Sequence, residues 1–245
     1  MRQLITILAA GMLLTGATYG QSRPVGHFHK VIVSPYIQVT FVQGDEESVT
    51  INHSIADSNK LHVEVRGGIL RLYLDGAKNL PHDQWDGSDG DGQRHRLYPN
   101  HAIVATVVYK KLNSLSLRGN ENFLIQSPLS ARKFRLREYG ETAVILTEVH
   151  INKMHSTLYG ECSVDIKAGV VNRQNFTCYG EGKINTTDIT GQKAKVTSFG
   201  DSEFKVNVSD LIRITSFGDA KVCYRGNPDI VKGIHFGGVD VEKLD

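Results

Sequence analysis

The sequence of 245 residues has few of the features that identify an enzyme or a cofactor site. It contains no Gly-x-Ser-x-Gly nucleophile turn, no glycine-rich phosphate loop and no paired histidines at the spacing of a zinc enzyme. Serine hydrolases, nucleotide-binding enzymes and zinc enzymes are therefore not predicted. No cofactor is expected.

Cysteine is scarce and odd in number, with Cys162, Cys178 and Cys223. If the repeats described below stack, Cys162 and Cys178 are offset by four residues, or ~13 Å along a strand, which is beyond the reach of a disulfide bond. We therefore expect three small thiols that are buried or half-buried, and no disulfide framework.

Neither sign of charge predominates, and no long apolar run follows the N-terminal segment. The formal net charge is +2 at pH 7, from 28 Lys and Arg against 26 Asp and Glu. This balance gives no electrostatic footprint for nucleic acid. No run after residue 20 reaches the ~18 apolar residues of a membrane helix. The sequence thus predicts neither a nucleic-acid partner nor a membrane span.

Residues 1–20 have the pattern of a signal peptide, with Arg2 ahead of an apolar run from Leu4 to Leu14. Small or polar residues follow the run and are compatible with cleavage before Gln21. No cysteine stands at that point, which disfavours a lipid anchor. We expect the mature chain to be exported and to be periplasmic, displayed on the cell surface or secreted.

The chain repeats one short pattern, in which an aromatic residue, a glycine and an acid follow one another. The glycines lie at intervals of 20, 20, 20 and 18 residues: Gly140, Gly160, Gly180, Gly200 and Gly218. Residues four before, four after and six after each glycine are mostly apolar, as in strands with one buried face. A fixed period of this size indicates a small unit stacked on itself. We predict an all-β fold, a right-handed parallel β-helix with coils of ~20 residues spaced by ~4.8 Å.

The repeats occupy residues 113–245, and the region 21–112 predicts short strands that pack on the β-helix or continue it. Turn signals recur every ~8–12 residues between 28 and 76, and Ile37 to Phe41 alternates apolar and polar residues. We expect residues 28–240 to form one continuous domain.

A Gly/Asp-rich loop, 76–100, interrupts the strand pattern. Its acids Asp86, Asp89 and Asp91 are the candidate metal ligands of the chain, since carboxylate oxygens bind calcium. Their spacing does not match the helix-flanked calcium loop. A solvated loop is the alternative, and we predict no metal site elsewhere.

Residues of the opposite parity form a stripe that is predicted to face outward. One residue before each glycine stands an aromatic side chain, and these form the ring ladder: Tyr139, Tyr159, Tyr179, Phe199 and Phe217. One residue after it stands an acid, and these form the acid column: Glu141, Glu161, Glu181, Asp201 and Asp219. Three residues before it stands a threonine in four repeats, and these form the threonine column: Thr157, Thr177, Thr197 and Thr215. Five residues before it stands a basic or amide side chain: Arg135, His155, Asn175, Lys195 and Arg213.

The stripe has two interpretations. Stacked identical side chains stabilise a β-helix by themselves, because rings stack on rings and threonine suits a strand surface. A row of exposed rings is also a surface that a sugar chain or a partner protein would contact. Both require strand alternation to continue through the glycine. If the glycine resets the alternation, the rings lie in the core.

The acid column allows a third interpretation, which is catalysis on a polysaccharide. Acids one coil apart would be separated by ~5 Å, as in retaining glycosidases. A catalytic pair, however, needs two carboxyl groups in different environments, whereas the repeat gives every acid much the same setting. We therefore predict that the protein is not an enzyme.

The order of features resembles a known family. A Gly-Gly turn precedes an alternating strand (Gly67 to Leu72), Leu112 to Gly119 leads into the glycine repeats, and Tyr224 to Pro228 closes them. Over residues 28–240 the chain resembles the exported bacterial family described as "putative adhesin, head GIN domain". Its members usually carry Ser-Gly-Ser-Gly-like repeats in place of Tyr-Gly-Glu or Phe-Gly-Asp. The resemblance implies a β-helix-like fold and an adhesive or surface role, and it brings no catalytic residues.

The sequence therefore favours an exported, non-catalytic binding or adhesion module that presents the stripe to a glycan or a surface protein. Two alternatives remain open. One is a carbohydrate-active β-helix enzyme that uses the acid column. The other is a purely structural surface protein that assembles with further copies of itself.

Overall fold

A computed structural model describes Gly20 and residues 22–79, 97–99 and 101–245. Most of the predicted signal peptide and of the loop 76–100 lies outside these residues. The candidate metal ligands Asp86, Asp89 and Asp91 also lie outside them.

The described residues are mostly β-strand, with one short 3₁₀ helix at Ser58–Lys60. The N-terminal strands are β1 (Ser22–Pro24), β2 (Lys30–Val33), β3 (Ile37–Gln43), β4 (Ser48–Ser54), β5 (Leu61–Arg66), β6 (Ile69–Leu74) and β7 (Ile103–Tyr109). The strands of the repeats are β8 (Ser114–Gly119), β9 (Asn122–Ile125), β10 (Leu129–Gly140), β11 (Ala143–Leu146), β12 (Val149–Gly160), β13 (Ser163–Ile166), β14 (Gly169–Tyr179), β15 (Gly182–Thr186), β16 (Lys193–Phe199), β17 (Ser202–Asn207), β18 (Leu211–Phe217), β19 (Ala220–Arg225), β20 (Asp229–Phe236) and β21 (Val239–Lys243).

The strands form two long sheets, one of 11 strands and one of 10. From β8 onward, the even-numbered strands belong to the 10-stranded sheet and the odd-numbered strands to the 11-stranded sheet. Each coil pairs in parallel with the next, so that Tyr139 lies beside Tyr159 and Gly140 beside Gly160. The register is interrupted where β18 pairs with β20, by a bulge between Ile214 and Ser216. The predicted all-β solenoid of stacked coils is confirmed.

The N-terminal strands extend both sheets. In the 10-stranded sheet, β8 pairs in parallel with β2, which pairs in turn with β6. In the 11-stranded sheet, β9 pairs in parallel with β3, which pairs in turn with β7. Antiparallel neighbours follow, with β5 beside β6 across the Gly67-Gly68 turn and β4 beside β7. One apolar cluster runs from these strands through the repeats.

The alternation of buried and exposed residues continues through the repeat glycine and breaks elsewhere. In β12, Val149 and Ile151 are buried, and so are Met154 and Ser156. The two residues between these pairs both face outward, so the strand bends there. Because the break precedes the glycine by about half a coil, the positions adjacent to the glycine keep the predicted parity.

The repeat glycines adopt a backbone conformation that other residues rarely reach. Gly160 has a φ of 107°, and a Cβ atom added there would lie 2.3 Å from the carbonyl oxygen of Gly140 in the preceding coil. The other repeat glycines share this positive φ and this close approach. Glycine is therefore required because neighbouring coils touch backbone to backbone at this corner.

Inside the same corner lies a buried acid, Glu138. Its side chain is fully buried, and Thr142 Oγ1 donates a hydrogen bond to its Oε2 at 2.8 Å, while Oε1 has no hydrogen-bond partner among the described residues. Burial raises the pKa of Glu138 well above its ordinary value, and the Thr142 hydrogen bond offsets this only in part. The carboxyl group is therefore held in its neutral form.

The three cysteines are buried and free, as predicted. Cys162 and Cys178 line the same corner on successive coils, and burial raises the pKa of Cys178 to about 12. A thiol with so high a pKa stays protonated at neutral pH and is a poor nucleophile.

Replacement of Gly160 by alanine should lower the free energy of unfolding by about 3 kcal/mol, from backbone strain and overpacking. Gly67→Ala is the matched control, because Gly67 also has a positive φ (57°) but a Cβ there meets no atom within 4 Å. Urea denaturation of both variants measures the difference. Equal destabilisation of the two variants would show that the positive φ alone, and not the contact between coils, accounts for the loss of stability.

Replacement of Glu138 by glutamine should stabilise the protein increasingly as pH rises. A carboxyl group whose pKa is raised in the folded state costs stability above its unfolded pKa, by up to about 1.4 kcal/mol per pH unit until the folded pKa is reached. Urea denaturation between pH 4 and 8, compared with the exposed control Glu141→Gln, measures this gain. A gain that does not change with pH would contradict a neutral Glu138.

Candidate functional site

The ring ladder forms a continuous stack on the outside of the solenoid. Ring centroids one coil apart are 4.8 to 5.1 Å from each other along Tyr139, Tyr159, Tyr179, Phe199 and Phe217, and their planes are parallel within 4°. The parallel register of β10 to β18 produces this geometry, because it places each ring above its counterpart.

The two ends of the stack are also occupied. Phe236 of β20 adds a sixth ring, 5.7 Å from Phe217 and tilted by 27°. At the other end, the guanidinium group of Arg118 lies 5.5 Å from the centre of the Tyr139 ring, in a cation–π contact.

The rings face solvent by their edges. Tyr159, Tyr179, Phe199 and Phe217 are between 37% and 40% exposed, and Phe236 is 67% exposed. Since each internal ring has a neighbour on both faces, a ligand reaches ring edges and tyrosine hydroxyl groups. The stack therefore supports both interpretations of the ladder, as a stabilising element and as an exposed surface.

The threonine column lies beside the ladder, two residues earlier on the same strands. Thr157, Thr177, Thr197 and Thr215 are paired in register and are half-buried. Their outward position places a line of hydroxyl groups parallel to the rings.

The acid column lies across the glycine corner from the ladder. All five acids are exposed: Glu141, Glu161, Glu181, Asp201 and Asp219. The two end members of the column accept hydrogen bonds: the backbone N–H of Gly238 donates to Asp219 Oδ1 at 2.8 Å, and the side-chain amide of Asn120 donates from Nδ2 to Glu141 Oε2 at 3.3 Å.

A shallow groove of about 730 Å³ runs over the last three acids of the column. Its walls also contain the alternating charges of the next outward position, Lys183, Glu203 and Lys221. The groove contains both signs of charge, and its acids share one exposed setting. This arrangement lacks the unequal pair of carboxyl groups that glycosidic catalysis requires.

Glu138 has a different environment from the acid column, since it is fully buried, and sequence reasoning missed it. It lies within the closed core and reaches no groove. Its position two residues before the glycine shares the inward parity of Leu136, and that parity is the signal that could have located it.

Among the residues that the structure describes, no group of three or more His, Cys, Asp or Glu side chains is placed to hold a metal ion. In the same part of the chain, no helix is long and apolar enough to cross a membrane.

The sequence of the chain also matches a known protein family. The sequence profile described as "Putative auto-transporter adhesin, head GIN domain" matches residues 27–228. No curated protein matches the chain significantly.

Solved structures share the fold at low sequence identity. A "putative adhesin" from Bacteroides fragilis NCTC 9343 is 16% identical and has a TM-score of 0.73, over 91% of this chain and 95% of that one. A "putative adhesin" from Parabacteroides merdae ATCC 43184 is 14% identical with a TM-score of 0.64, over 94% and 98% of the two chains. A "putative lipid binding protein" from Parabacteroides distasonis ATCC 8503 is 19% identical with a TM-score of 0.64, over the same shares. With the profile match covering most of its length, the chain belongs to the family described as "Putative auto-transporter adhesin, head GIN domain".

Proposed function

We propose that the protein is an exported, non-catalytic adhesion module that binds a glycan or a surface protein through the ring ladder and the columns beside it. The observation that carries this proposal is the exposure of the ladder. Six rings lie in one row; the exposed fraction is lowest at Tyr139, which is half-buried, and highest at Phe236, which is 67% exposed. Contiguous apolar surface of this kind is uncommon on a soluble domain and is typical of interaction sites.

The surroundings of the ladder suit recognition of a polar ligand. Ring edges and tyrosine hydroxyl groups are accessible, a line of threonine hydroxyl groups runs along one side, and carboxylates run along the other. Each group recurs once per coil. A ligand with a repeating structure, such as a sugar chain, would therefore meet the same contacts several times, and weak contacts would add up through multivalency.

The family supports a role at a surface, since its profile describes an adhesin. Export follows from the same role and from the signal-peptide pattern of residues 1–20. One relative of the same fold is described as a lipid-binding protein, so a lipid headgroup is a further class of ligand to include in binding assays.

The triple substitution Tyr159→Ala, Tyr179→Ala and Phe199→Ala should lower retention on a ligand-bearing surface at least about tenfold, because the removed rings lie at the centre of the site. A printed array of neutral and acidic glycans, together with a mucin-coated surface, is the probe. Ile145→Ala is the matched control, since Ile145 is also exposed (41%) but lies in the 11-stranded sheet.

The triple variant also tests the purely structural role of the stack. Each ring–ring contact contributes about 0.5–1.5 kcal/mol, so urea denaturation should show partial destabilisation with the fold retained. Tyr159→Phe with Tyr179→Phe keeps the stack and removes only hydroxyl groups. Unchanged retention by a folded alanine variant on every surface that binds the parent protein would contradict the proposal.

The second candidate is a carbohydrate-active enzyme, for which the groove over Glu181, Asp201 and Asp219 would be the substrate site. If the adhesion proposal is correct, the parent protein releases no reducing ends from neutral or acidic polysaccharides. Release by the parent protein that disappears in Glu181→Gln or Asp201→Asn, while the control Glu141→Gln, an acid of the same column outside the groove, retains it, would establish the enzyme instead.

A further inference from the structure

The outer face of the 10-stranded sheet carries a concentration of basic side chains beyond the threonine column. Seven residues before the glycine, four successive coils place a cation at the same site: Lys133, Lys153, Arg173 and Lys193. Two residues later on the strands, a second column contains Lys30, Arg135, His155, Lys195 and Arg213, interrupted by Ser114 and Asn175. Together these two columns form what we call the basic groove.

These cations have no carboxylate partner among the described residues. The ion pairs of the described chain use other lysines, such as Lys167 with Asp165, Lys205 with Glu203 at 3.1 Å and Lys221 with Glu242 at 3.4 Å. In the first column of the basic groove, Lys133, Lys153, Arg173 and Lys193 instead face one another at a spacing of ~4.8 Å per coil. In the second column, Lys195 and Arg213 are adjacent in the same way. Like charges directly opposite each other on neighbouring strands are destabilising. An unpaired row of this kind is compensated when an anionic ligand binds.

Burial, and after it the neighbouring positive charges, lowers the pKa of two members of the basic groove. For Lys30 the neighbouring charges are those of Arg137, Arg71 and Arg135. For His155 they are those of Lys153, Arg135 and Lys133, and the lowered pKa makes His155 a neutral member of the groove at pH 7.

The cations line a concave surface that follows the coil axis. One depression contains Lys30, Arg132, Lys133, Arg135 and His155, and the next contains Arg173, Lys193, Lys195 and Arg213. Lys153 lines both depressions, so they adjoin each other along the two columns. Asn113, Ser114 and Asn175 supply neutral hydrogen-bonding groups within the same walls.

We propose that the basic groove binds a linear polyanionic glycan, a sugar chain that carries sulfate or carboxylate groups, laid along the coil axis. This inference rests on the proposed function, because it names the class of ligand for the same side of the solenoid. The charge groups of the glycan pair with the two columns of cations. The threonine column and the tyrosine hydroxyl groups hydrogen-bond the sugar hydroxyl groups.

The shape and composition of the groove favour a sugar chain over other polyanions. A nucleic-acid strand is usually held by bases stacked on exposed ring faces, whereas the faces of the internal ladder rings are covered by neighbouring rings. A membrane-surface site combines cations with exposed apolar side chains that insert between lipids. Here the neutral polar residues beside the cations are Asn113, Ser114, Gln174 and Asn175. The apolar residues of the walls do not project into solvent, since Phe134 and Ala194 are buried and Leu211 is half-buried.

The test uses heparin as the sulfated probe, polygalacturonate as the carboxylated probe, dextran as the neutral probe and vesicles that contain phosphatidylglycerol as the lipid probe. Binding is measured by titration calorimetry at several salt concentrations. The test variant is Lys153→Gln/Arg173→Gln/Lys193→Gln. The control variant is Lys167→Gln/Lys205→Gln/Lys221→Gln, which changes the net charge equally but removes cations that already pair with carboxylates.

We expect the parent protein to bind at least one anionic probe and not dextran. The test variant should lose at least about tenfold in affinity, and the slope of log affinity against log salt should become shallower by about 2–3, since three fewer counterions are exchanged. The control variant should stay within about twofold of the parent, because paired surface cations contribute little.

Three results would overturn the inference: no binding of either anionic probe, an equal loss in both variants, or binding confined to vesicles that contain phosphatidylglycerol. The ring-ladder variant separates this inference from the proposed function. If neither anionic probe binds but the ladder still determines retention on a glycan surface, the proposal for the basic groove is wrong and the proposed adhesion function is retained. If the test variant alone loses affinity for the anionic probes while the ladder variant keeps it, polyanion binding by the basic groove is supported and the proposed role of the ladder is wrong.

Discussion

Backbone hydrogen bonding between successive coils holds each residue above its counterpart in the previous coil. At the glycine corner, Glu161 N donates to the carbonyl oxygen of Gly140 at 2.9 Å, and the two glycine backbones are in van der Waals contact. This contact leaves no room for a side chain, so the corner fixes glycine at one position per coil. Every other position is then fixed relative to that glycine. The ring ladder, the acid column and the basic groove are all consequences of one register repeated coil after coil.

The coils and their columns could be predicted from the sequence because the repeat encodes them directly. A residue that recurs at a constant distance from the glycine lies in one column whatever the details of the backbone. The outward parity of the ladder depended on alternation through the glycine, and it holds because the strand bends between Ile151 and Met154 and not between Tyr159 and Gly160. The free, buried state of Cys162 and Cys178 followed from their offset along the strands.

Features that depend on more than one repeat position were harder to predict. The inward column that contains Glu138 continues as Leu158, Cys178, Ser198 and Ser216, so its mixed chemistry does not mark it as core. An acid in that series is expected at the surface, but Glu138 is buried because its strand position faces the core. The pairing of β2 with β8 and of β3 with β9 joins segments far apart in sequence, and local patterns carry no information about such partners. The column that begins at Lys133 recurs like the others, but cations suit any exposed strand, so their lack of carboxylate partners emerges only from the coordinates.

The formal net charge of +2 conceals a marked separation of charge around the solenoid. Unpaired cations lie on the outer face of the 10-stranded sheet, whereas the acid column and several lysine–carboxylate pairs lie across the glycine corner. The ring ladder runs between these two regions. A field of this kind orients an approaching charged ligand before any contact forms, and it directs an anionic chain to one side of the ladder.

The glycine corner has a consequence for how such a protein can change its reach. Because each coil contacts only its neighbours, the duplication of one coil inserts a further ring, a further acid and a further outward threonine without disturbing those already present. The length of the binding surface can therefore change in evolution without any change in the side chains that each coil presents. When a chain-like ligand makes the same weak contact with every coil, the number of coils that it contacts at once determines the avidity. Affinity can thus change by the gain or loss of whole coils, while every residue within a coil stays the same.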